Sequence, residues 1–132
     1  MKRLLIIITI KLFSIPIFAQ KDSIRGNKYE LTGAIINEVS LTPHCGNIAW
    51  GTVVEFKIIK FNDSKYKEDT IAVIFTCPEF YKEGFFKVGN KYQLSVANQN
   101  QADFVWTIPN ESILKKYEMG KRLYVISAEI LK

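Results

Sequence analysis

Five β-rich segments, separated by polar or glycine-containing turns, follow residue 20, and this pattern limits the fold more than any other feature of the chain. The segments are 29–39, 52–61, 70–76, 91–97 and 123–130. In the second segment, Val54, Phe56 and Ile58 alternate with a less apolar set that includes Glu55, as in a strand with one buried face. The third segment is apolar on both faces, which suits a central strand covered on both sides. The sequence therefore predicts a mainly β protein.

Two short helices are predicted between these strands. Residues 78–83 begin with a proline, which the first turn of a helix tolerates. Residues 110–119 begin with Asn110 or Ser112 as the N-cap. Three apolar side chains of this second segment share one face: Ile113, Leu114 and Tyr117. We expect this face to cover a mouth of a barrel.

The number of strands selects among the mainly β folds. Residues 20–132 are enough for one small domain with a single core. Five strands, with a bend at Gly33 in the first and a short helix between the third and fourth, are typical of an OB-like barrel. An immunoglobulin-like sandwich needs about seven strands and a lipocalin-type barrel about eight. We therefore predict a five-stranded OB-like β-barrel with one or two short helices.

The first 19 residues have the form of a secretory signal peptide. Lys2 and Arg3 give the positive start, residues 4–10 the apolar run, and Ala19 a small residue where a signal peptidase would cut. This run is far shorter than the about 20 residues of a membrane-spanning helix. We expect a secreted or periplasmic protein without a stable membrane anchor after cleavage, and the ending Phe-Ala-Gln resembles exported Bacteroidetes proteins. The alternative is a buried N-terminal strand or helix of a cytosolic domain.

The cysteine content predicts a disulfide. Cys45 and Cys77 are the only cysteines of the chain, and an even count in an exported protein favours pairing. A bridge would close a loop of about 30 residues and stabilise the fold by about 3–4 kcal/mol in the chain-entropy model. The alternative is a redox or nucleophilic thiol. The chain has no Cys-x-x-Cys pair to support that alternative. His44 is next to Cys45 in sequence, and because neighbouring side chains of an extended chain point apart, a Cys-His catalytic pair is not indicated.

Charge and residue types argue against nucleic-acid binding and catalysis. The net charge of +5 becomes +2 when Lys2, Arg3 and Lys11 leave with the signal, and nucleic-acid-binding proteins usually carry a basic stripe. One histidine and two paired cysteines are too few ligands for a zinc site, and no Gly-rich phosphate loop is present. Glu68 and Asp69 are adjacent acids, but a polar hairpin turn explains them. We expect no metal, no cofactor and no enzymatic activity.

Residues 50–97 contain several features in a characteristic order. The run 51–56 (GTVVEF) leads into a polar hairpin, the next strand ends at Cys77, and the run 86–92 (FKVGNKY) precedes an alternating strand. These features resemble the netrin-like module shared with tissue inhibitors of metalloproteinases, and the resemblance implies an OB fold. In those inhibitors a cysteine at the mature N-terminus chelates the protease zinc. This chain would begin at Gln20 or Lys21, so the resemblance does not imply that mechanism.

Three aromatic residues in loop-like segments are the candidates for function: Trp50, Phe104 and Trp106. They lie at strand ends, where OB-type barrels bind ligands and where exposed aromatic side chains often anchor partners. We predict a binding module that contacts a protein or a small ligand through them, unless these rings only cap the core. The alternatives are an envelope immunity or protease-inhibitor-type protein and a small hydrolase that uses a perturbed acid or His44.

Overall fold

The computed structural model describes residues 23–117 and 122–132, so the predicted signal segment 1–19 lies outside the described residues. Its strands are β1 (Lys28–Ile35), β2 (Gly51–Phe61), β3 (Thr70–Thr76), β4 (Lys91–Ala97) and β5 (Tyr124–Ile130). They form a closed barrel in the order β1-β2-β3-β5-β4, with β4 paired back onto β1. The strand pairs are antiparallel except for β3 and β5, which are parallel. The predicted five-stranded OB-like barrel is therefore confirmed.

The bend predicted at Gly33 is present in β1. The register between β1 and β2 shifts between Thr32 and Gly33, as at a β-bulge. A Cβ atom on Gly33 would lie 2.9 Å from the carbonyl oxygen of Lys57 and 3.2 Å from the Cβ of Phe56. Glycine is needed here because the backbone of β2 approaches β1 too closely for a side chain.

We expect Gly33→Ala to destabilise the protein by about 1–3 kcal/mol, because the added methyl group meets backbone that cannot rotate away. Urea denaturation of the purified protein measures this change. Gly46→Ala is the matched control, since a Cβ atom there has no heavy atom within 4 Å. Equal free energies of unfolding for the two variants would contradict the close approach.

The first strand is shorter than predicted. β1 ends at Ile35 rather than at residue 39. The N–H of Ile36 still donates to the carbonyl of Glu55 at 3.1 Å, and then the chain leaves the sheet as the loop 36–50. The predicted strand included residues 36–39 because of their local β preference. A strand ends where its pairing partner ends, and local preference does not decide this.

Both faces of β3 are buried, as the sequence predicts. Ile71, Val73 and Phe75 point into the barrel and belong to its main core. Ala72 and Ile74 point outward and belong to a second apolar cluster with Val53 and Ile108. The cover over this outer face comes from the loop 98–123 between β4 and β5. β3 thus separates a barrel core from an external layer.

The two helical segments are short 3-10 helices, Pro78–Phe80 and Glu111–Lys116. The apolar side chains of the second, named above, pack against the outer cluster on β2 and β3. The expectation that they cover a barrel mouth is therefore wrong. Asn110 explains their position, because its amide accepts from the N–H of Val53 at 2.9 Å and donates to the carbonyl of Val53 at 3.0 Å. This side chain, which makes no capping hydrogen bond, fixes the segment along β2.

Candidate functional site

Two loops, 36–50 between β1 and β2 and 98–123 between β4 and β5, meet at one side of the barrel. Trp50 and Thr107 form an isolated parallel bridge between them. The N–H of Thr107 donates to the carbonyl of Ala49 at 2.8 Å, and the N–H of Gly51 donates to the carbonyl of Thr107 at 2.9 Å. The loops that OB barrels use for binding are therefore joined by backbone hydrogen bonds in this protein.

A disulfide anchors the first of these loops. Cys45 and Cys77 are bridged with a Cα–Cα distance of 5.6 Å, which confirms the predicted pairing. The N–H of Cys45 also donates to Oε1 of Glu79 at 2.5 Å. Cys77 is the one non-glycine residue of the described chain with a positive φ, 45°. The bridge ties the loop 36–50 to the end of β3, and such bridges form outside the reducing cytoplasm.

The predicted aromatic residues are only partly brought together. The rings of Phe104 and Trp106 contact each other with centroids 4.9 Å apart. Trp106 is half-buried, packs against the outer cluster, and donates from Nε1 to Oδ1 of Asn100 at 2.8 Å. Trp50 is half-buried and reaches the second loop through its backbone bridge. Within the described part of the chain, no ring contact joins it to Phe104 or Trp106.

Phe104 belongs instead to an exposed apolar patch. It is 53% exposed, and beside it Ile48 is 48% and Val105 is 89% exposed. We call Ile48, Phe104 and Val105 the loop patch. They line a shallow depression of about 410 Å³ together with Gly46, Asn47, Ala49 and Thr107. Sequence reasoning missed Ile48 and Val105, although both lie in the segments HCGNIAWG and QADFVWTIP that contain the aromatic candidates.

The outer face of β2 and β3, which OB barrels commonly offer to oligonucleotides and oligosaccharides, is covered in this protein. Trp106, Ile113 and Tyr117 pack onto it from the loop 98–123. A ligand would have to displace this apolar layer to reach the strands. The loop patch at the edge remains accessible.

Glu55 is a buried acid that sequence reasoning placed on the more polar face of a half-buried strand. It is 6% exposed. It accepts from Nδ2 of Asn37 at 2.6 Å and from the hydroxyl of Tyr117 at 2.8 Å, and Nζ of Lys116 lies 3.6 Å away. Burial, aided by the hydrogen bond to Glu55, raises the pKa of Tyr117 to about 12. These partners satisfy the carboxylate of Glu55. Because Asn37 lies in the loop 36–50 and Tyr117 in the loop 98–123, their hydrogen bonds to Glu55 hold both loops onto the barrel.

The adjacent acids that the sequence analysis singled out, Glu68 and Asp69, lie in the hairpin between β2 and β3. Asp69 accepts from Nζ of Lys57 at 2.6 Å, and this hydrogen bond lowers its pKa. Both Glu68 and Asp69 are exposed. Among the described residues, the one group of three potential metal ligands is Cys45, Cys77 and Glu79. Its two sulfur atoms are joined in the disulfide.

Comparisons with protein-family models, with curated proteins and with solved structures each return no match for this chain. Among the described residues, no helix has the length and apolar character needed to cross a membrane.

Proposed function

We propose that this protein is a secreted or periplasmic, non-enzymatic binding module that contacts a partner protein through the loop patch. The observation that carries the proposal is the exposure of Ile48, Phe104 and Val105 side by side on two joined loops. Adjacent exposed apolar side chains on a small domain commonly mark a contact surface. The disulfide and the predicted signal peptide both favour a place outside the cytoplasm.

The form of the patch favours a protein over a small ligand. Small-ligand sites are concave and enclose most of the ligand, whereas this depression is shallow and its largest side chains project outward. An exposed aromatic side chain such as Phe104, next to the apolar Ile48 and Val105, is typical of protein contact surfaces. The disulfide and the bridge at Thr107 hold the loops before binding, which reduces the entropy lost on association.

We expect a photo-reactive phenylalanine analogue at position 105 to cross-link one discrete protein in the native cell envelope. The same analogue at position 60, an exposed site on β2, is the control and should give no discrete product. Phe104→Ser should reduce the cross-link by about tenfold or more, since anchor residues contribute about 2 kcal/mol or more to binding. Its free energy of unfolding should fall by only about 0.5–1.5 kcal/mol, the contribution of the ring contact with Trp106.

Trp106→Ala separates this surface from the layer beneath it. We expect a loss of stability of about 2 kcal/mol, because the variant removes a half-buried ring from the outer cluster.

The proposal would be wrong if positions 60 and 105 gave the same cross-links, or if Phe104→Ser left the product at position 105 unchanged. These outcomes do not depend on the identity of the partner.

A further inference from the structure

Residues 25–27, just before β1, lie against the loop segment 98–106, which carries two of the three side chains of the loop patch. We call residues 25–27 the N-terminal strap and residues 98–106 the patch segment. The N–H of Asn27 donates to Oδ1 of Asn98 at 2.8 Å, and the N–H of Asn98 donates to the carbonyl of Asn27 at 3.1 Å. This reciprocal pair continues the pairing of β1 with β4 beyond the ends of both strands. The strap therefore follows the patch segment as it leaves the barrel.

Arg25 makes four hydrogen bonds to the middle of the patch segment. Its N–H donates to Oε1 of Gln101 at 2.9 Å, and its carbonyl accepts from Nε2 of Gln101 at 2.8 Å. Its guanidinium donates to the carbonyl of Ala102 at 3.0 Å and to the carboxylate of Asp103. An exposed ion pair contributes little by itself, but these four bonds together join the main chain and side chain of Arg25 to three consecutive residues.

Gly26 allows the strap to lie this close to the patch segment. Its φ of 76° is in the left-handed region. A Cβ atom at this position would lie 2.8 Å from Cγ of Gln99 and would collide with Oδ1 of Asn98. Gly84 has a similar φ of 73°, but a Cβ atom there has no heavy atom within 4 Å. The two glycines thus differ in what surrounds them and not in backbone conformation.

Asn100 connects this restraint to Phe104. Its Nδ2 donates to the carbonyl of Phe104 at 2.6 Å. Its Oδ1 accepts from the N–H of Ala102 at 3.0 Å and from Nε1 of Trp106 at 2.8 Å. The carbonyl of the same Ala102 accepts from Arg25. The strap therefore holds Phe104 both through the chain that follows Ala102 and through the side chain of Asn100.

Other contacts hold the two ends of the patch segment. It begins at the end of β4, and the backbone of Thr107, just after it, is bonded to the loop 36–50. We propose that Arg25 is a positioning residue of the loop patch, since it holds the middle of the patch segment in the conformation that places its apolar side chains beside Ile48. Arg25 is not among the residues that line the depression of the loop patch. This inference rests on the proposed binding role of that patch.

Backbone ¹⁵N relaxation of the intact disulfide-bonded protein tests the positioning without a partner. In Arg25→Ala, we expect the order parameters of Phe104 and Val105 to fall from about 0.85, the value of rigid backbone, toward about 0.6. Arg122→Ala is the matched control. The side chains of Arg25 and Arg122 are 46% and 50% exposed, and each is paired with one acid. This control should leave both order parameters at their parent values, and the two variants should have the same urea midpoint of unfolding.

Gly26→Ala disturbs the strap by a different route. Its methyl group meets the patch segment and should push the strap away, so we expect the same fall of the order parameters as in Arg25→Ala. Gly84→Ala carries the same left-handed strain without the contact. It should leave the order parameters of the patch segment unchanged.

The photo-cross-link from position 105 tests the consequence for binding. Combined with Arg25→Ala, the analogue should give about threefold to tenfold less of the discrete product, because the binding-competent conformation is then populated for only part of the time. Combined with Arg122→Ala, it should give the parent yield. Arg25→Lys should restore part of the yield, since one ammonium group replaces only part of the donor fork of arginine.

Parent-like order parameters in Arg25→Ala overturn this inference and leave the proposed function standing, because the cross-link of the parent protein is an independent result. A mobile patch segment with an undiminished cross-link also overturns it, since binding then does not need the positioned segment. A parent protein that gives no discrete cross-link contradicts the proposed function itself, and the role of Arg25 in binding falls with it.

Discussion

Replacement of Phe75 by alanine is expected to lower the free energy of unfolding by about 3–5 kcal/mol. The side chain is 0% exposed. Its ring contacts those of Phe56, Tyr81 and Phe86, with centroids 6.4, 5.3 and 5.0 Å away. Removing the ring leaves a cavity in the barrel core, beside the rings of Tyr81 and Phe86. Small domains have a total stability of about 5–15 kcal/mol, so this one change removes a large fraction of it.

Urea denaturation followed by tryptophan fluorescence measures the loss. The control is Phe80→Ala, since Phe80 belongs to the neighbouring 3-10 helix but is 81% exposed. That variant should stay within about 0.5 kcal/mol of the parent protein. A small effect of Phe75→Ala would contradict the burial of this ring on β3, because only a solvent-exposed ring can be removed with little loss of stability.

Removal of the disulfide should destabilise the protein by about 3–4 kcal/mol, because the sequence separation of 32 residues leaves a long loop free in the unfolded chain. The double variant Cys45→Ala and Cys77→Ala gives this value by urea denaturation. A change of less than about 1 kcal/mol would show that the bridge does not restrain the unfolded state.

A second double variant, Cys45→Ala with Cys77→Gly, isolates the backbone at Cys77. Position 77 has φ 45° and ψ 64°, in the left-handed region. Glycine adopts this conformation without the steric cost that a Cβ atom adds, so this variant should recover about 1 kcal/mol relative to the alanine pair. If the two pairs unfold at the same urea concentration, the left-handed backbone contributes no measurable strain.

The sequence predicted the strands well because their signals are local. Alternation identified β2 and β4, and the apolar character of both faces identified β3 as a doubly covered strand, with β3 and β4 matching the predicted segments in full. Gly33 was informative because a glycine inside a strand usually has a steric cause. The disulfide followed from two cysteines in a chain with a predicted signal peptide. The strand inferences depend on a residue and its near neighbours, and the disulfide needed only the cysteine count and the expected compartment.

The errors and omissions depend on contacts between distant residues. Glu55 was placed on the more polar face of β2, and its burial results from Asn37 and Tyr117, which lie 18 and 62 residues away. The 3-10 helix Glu111–Lys116 covers the outer sheet face because Asn110 bonds to Val53, a contact that no helical periodicity encodes.

The early end of β1 leaves the start of β2 without a neighbouring strand on one side. The N–H of Gly51 donates instead to the carbonyl of Thr107, and the N–H and carbonyl of Val53 are bonded to the side-chain amide of Asn110. A strand edge with free N–H and C=O groups is a template to which another copy of the chain can add. Thr107 and Asn110 thus occupy the backbone groups at the start of β2 that an added strand would need.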